Sequence, residues 1–331
     1  MQADYDKFYA FSLLMSRLAT LFRCSAAVAQ RTVNPLVAGS NPATGAILPR
    51  GLTQVSSGFF FLAREFVMSE LQLMGIINVT PDSFSVRCDN NVPAALAAAC
   101  KMLEQGADII DIGGESTRPG GYTPIAAAEE KARVIPVISA ILEARPDAVI
   151  SVDTMKAEVA AAALEVGAKI INDVSGLSDP NMGRLVAESS CKYVYMHGFA
   201  THNEIAKLSD SRELYSGYEE FALRFMDEVK TGVERVLDSG VARSQLIVDP
   251  GFGFSKRGLG NLWLLDTLPQ LIEWLGEIPV LVGASRKHFV CDITGEADVV
   301  KASVAFGKMA IERGAKILRV HDVADYIMHC N

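Results

Sequence analysis

The chain has 331 residues, half of them hydrophobic, and a formal net charge of −8. That length accommodates a barrel of ~250 residues with an extension, or two ordinary domains. The acidic balance argues against a nucleic-acid backbone as partner. Six cysteines lie far apart without a CxxC pair, and the histidines form no HExxH, a usage that fits a reducing cytoplasm with no zinc or disulfide framework. No apolar run reaches the ~18 residues that cross a bilayer, so no membrane is expected as partner.

Residues 1–68 show no sustained periodicity, and Gly, Pro, Ser and Asn punctuate the stretch from Asn34 to Gly58. Asp4 and Asp6 stand where a signal peptide needs positive charge. An excess of basic over acidic residues would suit a transit peptide. The stretch "VAGSNPATG" has another reading: Gly-Ser-Asn-Pro is what the T-arm of a transfer-RNA gene encodes when translated. The expectation is therefore an N-terminal extension, 1–68, that is disordered or not natively translated, ahead of a domain over 69–331. Met68 or Met74 would be the natural start.

From Met74 onward, short apolar runs alternate with helical patterns. The runs are Met74–Asn78, Ile109–Gly113, Val149–Asp153, Lys169–Asn172, Tyr193–His197, Leu246–Asp249, Val280–Gly283 and Ile317–Val320. Amphipathic or Ala-rich stretches such as "AALAAACKMLEQGA" and "YEEFALRFMDEVKTGVERVL" lie between them. Four of these end in glycine just before the next run ("EQGAD", "EVGAK", "DSGVA", "ERGAK"), the expected helix C-cap. Eight βα repeats with doubly buried strands mean a parallel sheet, and the economical closure is a (β/α)8 TIM barrel. An open doubly wound sheet is the alternative, but no GxGxxG follows the first strand.

Each run ends in polar residues: Asn78; Glu115, Thr117 and Arg118; Asp153; Asn172; His197; Asp249; Ser285, Arg286 and Lys287; Arg319 and His321. In a barrel these converge on the face where active sites of this fold lie. Arg118, Lys287, Arg319 and His321 gather cations locally, and "VGASRK" sets a turn of backbone N–H groups beside them, so the ligand is expected to carry phosphate. Asn78 could add one ligand to Mg²⁺, which often bridges to phosphate through few protein groups. Asp153, Asn172 and Asp249 offer acceptors and an amide, suited to a flat heterocycle with an N–H and an amino group side by side.

Seven segments in order, "MGIINVTPDSFS", "GADIIDIGGESTRPG", "SVDTMKAEV", "GAKIINDVSGL", "VDPGFGFSK", "VGASRK" and "LRVHDV", resemble the signature segments of dihydropteroate synthase and cover Met74 to Asp322. The resemblance implies condensation of 6-hydroxymethyl-7,8-dihydropterin diphosphate with p-aminobenzoate, releasing diphosphate, a folate-synthesis step inhibited by sulfonamides. It implies that Asp153, Asn172, Asp249 and Lys287 bind the pterin with Arg319 stacked on its face. Asn78 would hold Mg²⁺, and Arg319 and His321 the diphosphate. Thr117, Arg118 and Pro119 would lie on one mobile loop and Phe84 on another, both closing over p-aminobenzoate, whose carboxylate would meet Ser285. Phe254 and Met196 complete the implied substrate contacts, and Asp153, Lys287 and Arg118 form the implied catalytic set. The implied mechanism is dissociative, with an ionised Asp153 stabilising a pterin methylene cation.

The sequence also departs from the family. Val86-Arg87-Cys88 stand where "TPDSFS" is usually followed by Asp-Gly-Gly, so the loop lacks a carboxylate and two permissive residues. "HGFATHNEIAKL" replaces a Met-Gln-Gly-rich stretch after the fifth strand, and "ADVVKASVA" replaces the usual Arg and small-residue pair before the last long helix. The closing helix is short, which leaves the family's homodimer open here. A weak or inactive pterin-binding paralogue, and a pterin-dependent methyltransferase domain, are the alternative readings.

Overall fold

The structure, a computed structural model, describes residues 71–80, 92–115, 124–198, 215–256 and 259–330. The expected boundary at residue 68 and the altered loop at 86–88 lie outside them.

Eight parallel strands alternate with helices: β1 (Gln72–Asn78), α1 (Val92–Glu104), β2 (Ile109–Gly113), α2 (Ala127–Ala144), β3 (Val149–Asp153), α3 (Ala157–Glu165), β4 (Ile170–Asp173), α4 (Met182–Glu188), β5 (Lys192–Met196), α5 (Tyr218–Asp238), β6 (Leu246–Asp249), α6 (Gly260–Leu275), β7 (Leu281–Val282), α7 (Phe289–Thr294), α8 (Val299–Glu312), β8 (Ile317–Val320) and α9 (Val323–Cys330). The strand order is β6-β5-β4-β3-β2-β1-β8-β7. A single bridge between Val248 and Val280 joins the two outer strands and closes the ring. This is the expected (β/α)8 barrel.

The expected strand ranges hold for β2, β3, β6 and β8, while β4 and β5 slide by one residue. β7 shrinks to two residues. Pro279 before it has no N–H to donate, and Gly283 after it is followed by the turn closed by Lys287 N–H to the Ala284 carbonyl, so little ladder can form. The four expected glycine caps all adopt left-handed backbone, with φ of 100° at Gly106, 111° at Gly167, 98° at Gly240 and 100° at Gly314. Only glycine enters that region without steric cost.

Helix burial follows the 3.6-residue period. In α5, Phe221, Phe225, Val229, Val233 and Val236 form the buried stripe, and Glu219 and Glu220 in its first turn complement the helix dipole. In α8 the Asp298 carboxylate caps the helix by accepting from the Val300 and Lys301 N–H groups.

Strand alternation sorts the barrel interior into layers. Met74, Ile109, Ile170, Val194, Ile247, Leu281 and Ile317 form one buried apolar cluster inside the ring. Each such side chain contributes about 1.5–3 kcal/mol by leaving water. Two residues further along the same strands, on the same face, stand Ile76, Asp111, Asn172, Met196, Asp249, Gly283 and Arg319. The layer above the apolar plug is therefore polar, and it lies at the C-terminal mouth.

Candidate active site

Arg319 stands at the centre of the mouth, between two carboxylates. Its Nε donates to Asp111 Oδ2 at 2.6 Å and its Nη2 to Asp153 Oδ2 at 2.6 Å. Burial works against its charge, but Asp111 and Asp153 outweigh that and its pKa is raised. Asp111 Oδ2 also accepts from Asn172 Nδ2 at 3.1 Å. Asp153 Oδ1 is buried without a protein partner.

Asp153 is buried at the end of β3. Burial pushes its carboxyl up to about 7, with Arg319 pulling the other way and Asp111 adding repulsion. Two carboxylates share one guanidinium, so neither has its charge fully balanced by it.

Across the mouth, Asp249 Oδ1 accepts from the Gly251 N–H at 2.7 Å. Burial raises its pKa, with the Gly251 N–H, Lys287 and Arg319 opposing. Lys287 donates to the Phe252 carbonyl at 2.5 Å, and its ammonium lies 4.5 Å from the centre of the Phe254 ring. Burial lowers it to about 8, partly offset by Asp249. Gly283 keeps this region open: a Cβ there would lie 3.6 Å from Asp249 Oδ2 and 3.9 Å from Arg319 Cβ. A Cβ at Gly113 would likewise stand 3.4 Å from Asp153 Cβ and 3.7 Å from Asn78 Oδ1. Neither glycine projects a side chain among these polar groups.

Ser285 and His321 pair at one side, with the Ser285 hydroxyl 3.1 Å from His321 Nδ1 and accepting the His321 N–H at 3.2 Å. Between Ser285 and Lys287, Arg286 has a φ of 60°. The reversal sends its guanidinium outward to the Asp322 carboxylate. Met196 is buried beside Asp249 in the β5–β6 register.

The structure thus brings together Asn78, Asp153, Asn172, Met196, Asp249, Phe254, Ser285, Lys287, Arg319 and His321. Phe84, Thr117, Arg118 and Pro119 lie outside the described residues. Three members of the expected ring leave it. Arg286 points outward, as above. His197 follows the inward-facing Met196 and so faces the helices, 5.0 Å from the Phe225 ring with its Nε2 3.4 Å from Glu228. Burial lowers it to about 4, so it is neutral there. Glu115 turns into the helix layer, where it and the fully buried Glu130 flank Lys156.

Sequence reasoning missed Asp111, Lys156, Glu130 and Lys256. Lys256 is buried and donates to the carbonyls of Gly251 at 3.0 Å, Phe254 at 3.1 Å and His197 at 3.3 Å. It ties together the loop that carries Asp249 and Phe254. A signal existed for Asp111: a carboxylate inside the apolar run "IIDIG" is costly to bury unless it is paired.

A family model for pterin-binding enzymes matches residues 74–321. A Synechocystis dihydropteroate synthase is 39% identical over 263 residues, which is 78% of this chain and 87% of that protein. A Haloferax volcanii protein named for both folylpolyglutamate synthase and dihydropteroate synthase activities is 42% identical over 262 residues, and the match spans 78% of this chain but only 30% of that longer relative. Among solved structures, Xanthomonas albilineans dihydropteroate synthase with 4-aminobenzoic acid superposes with a TM-score of 0.69 at 39% identity, covering 78% of this chain and 90% of that one.

Proposed function

The chain belongs to the pterin-binding enzyme family as a dihydropteroate synthase, and from that premise we propose which residues carry the reaction. The substrates are 6-hydroxymethyl-7,8-dihydropterin diphosphate and p-aminobenzoate, and the products are 7,8-dihydropteroate and diphosphate. One observation carries the assignment: buried acceptors on β3, β4 and β6 share the barrel mouth with Lys287 and Arg319, beside Gly113 and Gly283, which project no side chain there. Asp153, Asn172 and Asp249 take the donors of the pterin ring, and Lys287 its acceptor edge. Arg319 covers the ring and, with His321, reaches the diphosphate. Ser285 meets the carboxylate of p-aminobenzoate; Met196 and Phe254 line the cleft, and Phe84, Thr117, Arg118 and Pro119 belong to the proposed second-substrate side.

The C–O bond between the pterin methylene and the diphosphate breaks first, and its electron pair leaves on the diphosphate oxygen. Ionised Asp153 opposes the positive charge that spreads into the ring. The amine lone pair of p-aminobenzoate then forms the C–N bond, and that nitrogen releases a proton to solvent.

Mg²⁺ is part of the proposal. No group of three or more acidic, His or Cys side chains gathers as a metal site among the described residues. The Asn78 amide oxygen at the mouth fits a cation held mainly by phosphate oxygens and water. Bound there, the ion would neutralise charge on the departing diphosphate. No described helix is long and apolar enough to cross a membrane. Cys100, Cys191, Cys291 and Cys330 are free thiols, which supports a cytoplasmic setting. A homodimer is proposed for sedimentation to test.

The direct test is diphosphate release. Release that requires both substrates and falls with EDTA is the expected result. Tight pterin-diphosphate binding without release would overturn the catalytic assignment in favour of an inactive pterin-binding paralogue.

A further inference from the structure

Asp111 is fully buried in the middle of β2, in the same interior layer as Asn172, Asp249 and Arg319. Burying a carboxylate is costly, and a well-packed hydrophobe is often as stable in such a place. Its Oδ2 serves two residues of the proposed pterin site at once, Arg319 on β8 and Asn172 on β4. A carboxylate can only accept, so it draws the amide N–H of Asn172 towards itself and turns the Asn172 carbonyl oxygen the other way. The cleft is then offered an acceptor at Asn172, beside the unpartnered Asp153 Oδ1 and the Asp249 carboxylate.

We propose that Asp111 is a positioning residue for the condensation, which sets Asn172 as an acceptor toward the pterin, holds Arg319 in place and keeps Arg319 from fully neutralising Asp153. The proposal rests on the pterin reading of the cleft. The charge count supports its last clause: Asp111 and Asp153 together exceed the one guanidinium between them. Asp153 is faced by Arg319 from β8, Asp111 from β2, Glu130 from α2 and Asp173 from β4, with Asp249 on β6 and Lys287 after β7 acting on Arg319 and Asp249. Of these, Asp111 is the carboxylate that shares the Arg319 guanidinium with Asp153.

The test uses the full chain, with 6-hydroxymethylpterin as the binding probe and diphosphate release as the turnover readout. Asp111→Asn should weaken probe binding by about tenfold or more, as expected for hydrogen bonds to a charged group. It should also move the acid limb of kcat/KM to lower pH, because Asp153 loses a like-charged neighbour; a purely structural defect would not do this. Asn172→Asp alone should also lose the probe, since two carboxylates would then meet. The exchanged pair, Asp111→Asn with Asn172→Asp, restores one donor and one acceptor and should recover part of the affinity. That comparison keeps the test decisive if a single variant folds poorly. Unchanged probe affinity in Asp111→Asn, an acid limb that stays in place, or no recovery in the exchanged pair would overturn the proposal. A wild-type chain that ignores the probe would overturn the pterin reading itself, and this inference with it.

Discussion

Lys256 shows how a single side chain can hold a binding loop at a measurable cost. It donates to the Gly251 and Phe254 carbonyls in the loop after β6 and to the His197 carbonyl just after β5. Burial lowers its pKa from 10.5 to about 7, with Asp249 opposing. The folded state therefore binds fewer protons than the unfolded chain between about pH 7 and 10.5. Stability contributed through this group rises with pH across that window, and its penalty is complete below it. Urea unfolding at pH 7 and 9 should show a gain for the wild type that is smaller in Lys256→Met. The same variant should weaken pterin binding, because the backbone beside Asp249 loses its tie. At this scale the strand-end residues were legible because alternation and the end of an apolar run fix which side chains reach the mouth. The partners of Arg319 were not, since pairing between strands far apart in the chain leaves no local mark.

At the scale of elements, the connection from β2 to α2 is held at its base by a buried ionic cluster. Glu115 at its start accepts the Ile125 N–H at 2.9 Å near its end. Lys156, just before α3, bonds both Glu115 and Glu130, and Arg133 of α2 donates to the Gly114 carbonyl at 2.8 Å. Glu130 Oε1 has no partner, so Lys156 is its main compensation. Lys156→Met leaves two buried carboxylates facing each other and should destabilise the fold by about 3–5 kcal/mol. A urea midpoint equal to that of the wild type would contradict this. Because the cluster also sets the stems of the stretch containing Arg118, a surviving variant should show a raised KM for p-aminobenzoate. The helices were readable from their period and their glycine caps, and β7 was misjudged. "VLVG" looks like a strand in sequence, but Pro279 and Gly283 leave room for only two ladder residues.

For the molecule as a whole, the order of eight strands and helices followed from the sequence because every connection is local and right-handed in this fold. Residues 1–68 carry no such pattern, and we propose that they are dispensable. A chain beginning at Met68 should melt at the same temperature as the full chain, with equal diphosphate release; a lower melting temperature would show that the segment supports the barrel. The ring itself is uneven. Seven neighbouring pairs share ladders, while β6 and β7 meet at one bridge, where Val248 N donates to the Pro279 carbonyl at 3.0 Å. Asp249 stands on one side of that seam and Lys287 on the other. A bound pterin touching both would act as a rivet across the weakest joint of the barrel. Amide protons around Val248 and Val282 should exchange with deuterium sooner than those of β2 and β3 in the free enzyme. Saturation with a pterin should slow that exchange by a factor that grows with ligand concentration. The substrate would then help close the wall of the vessel in which it reacts.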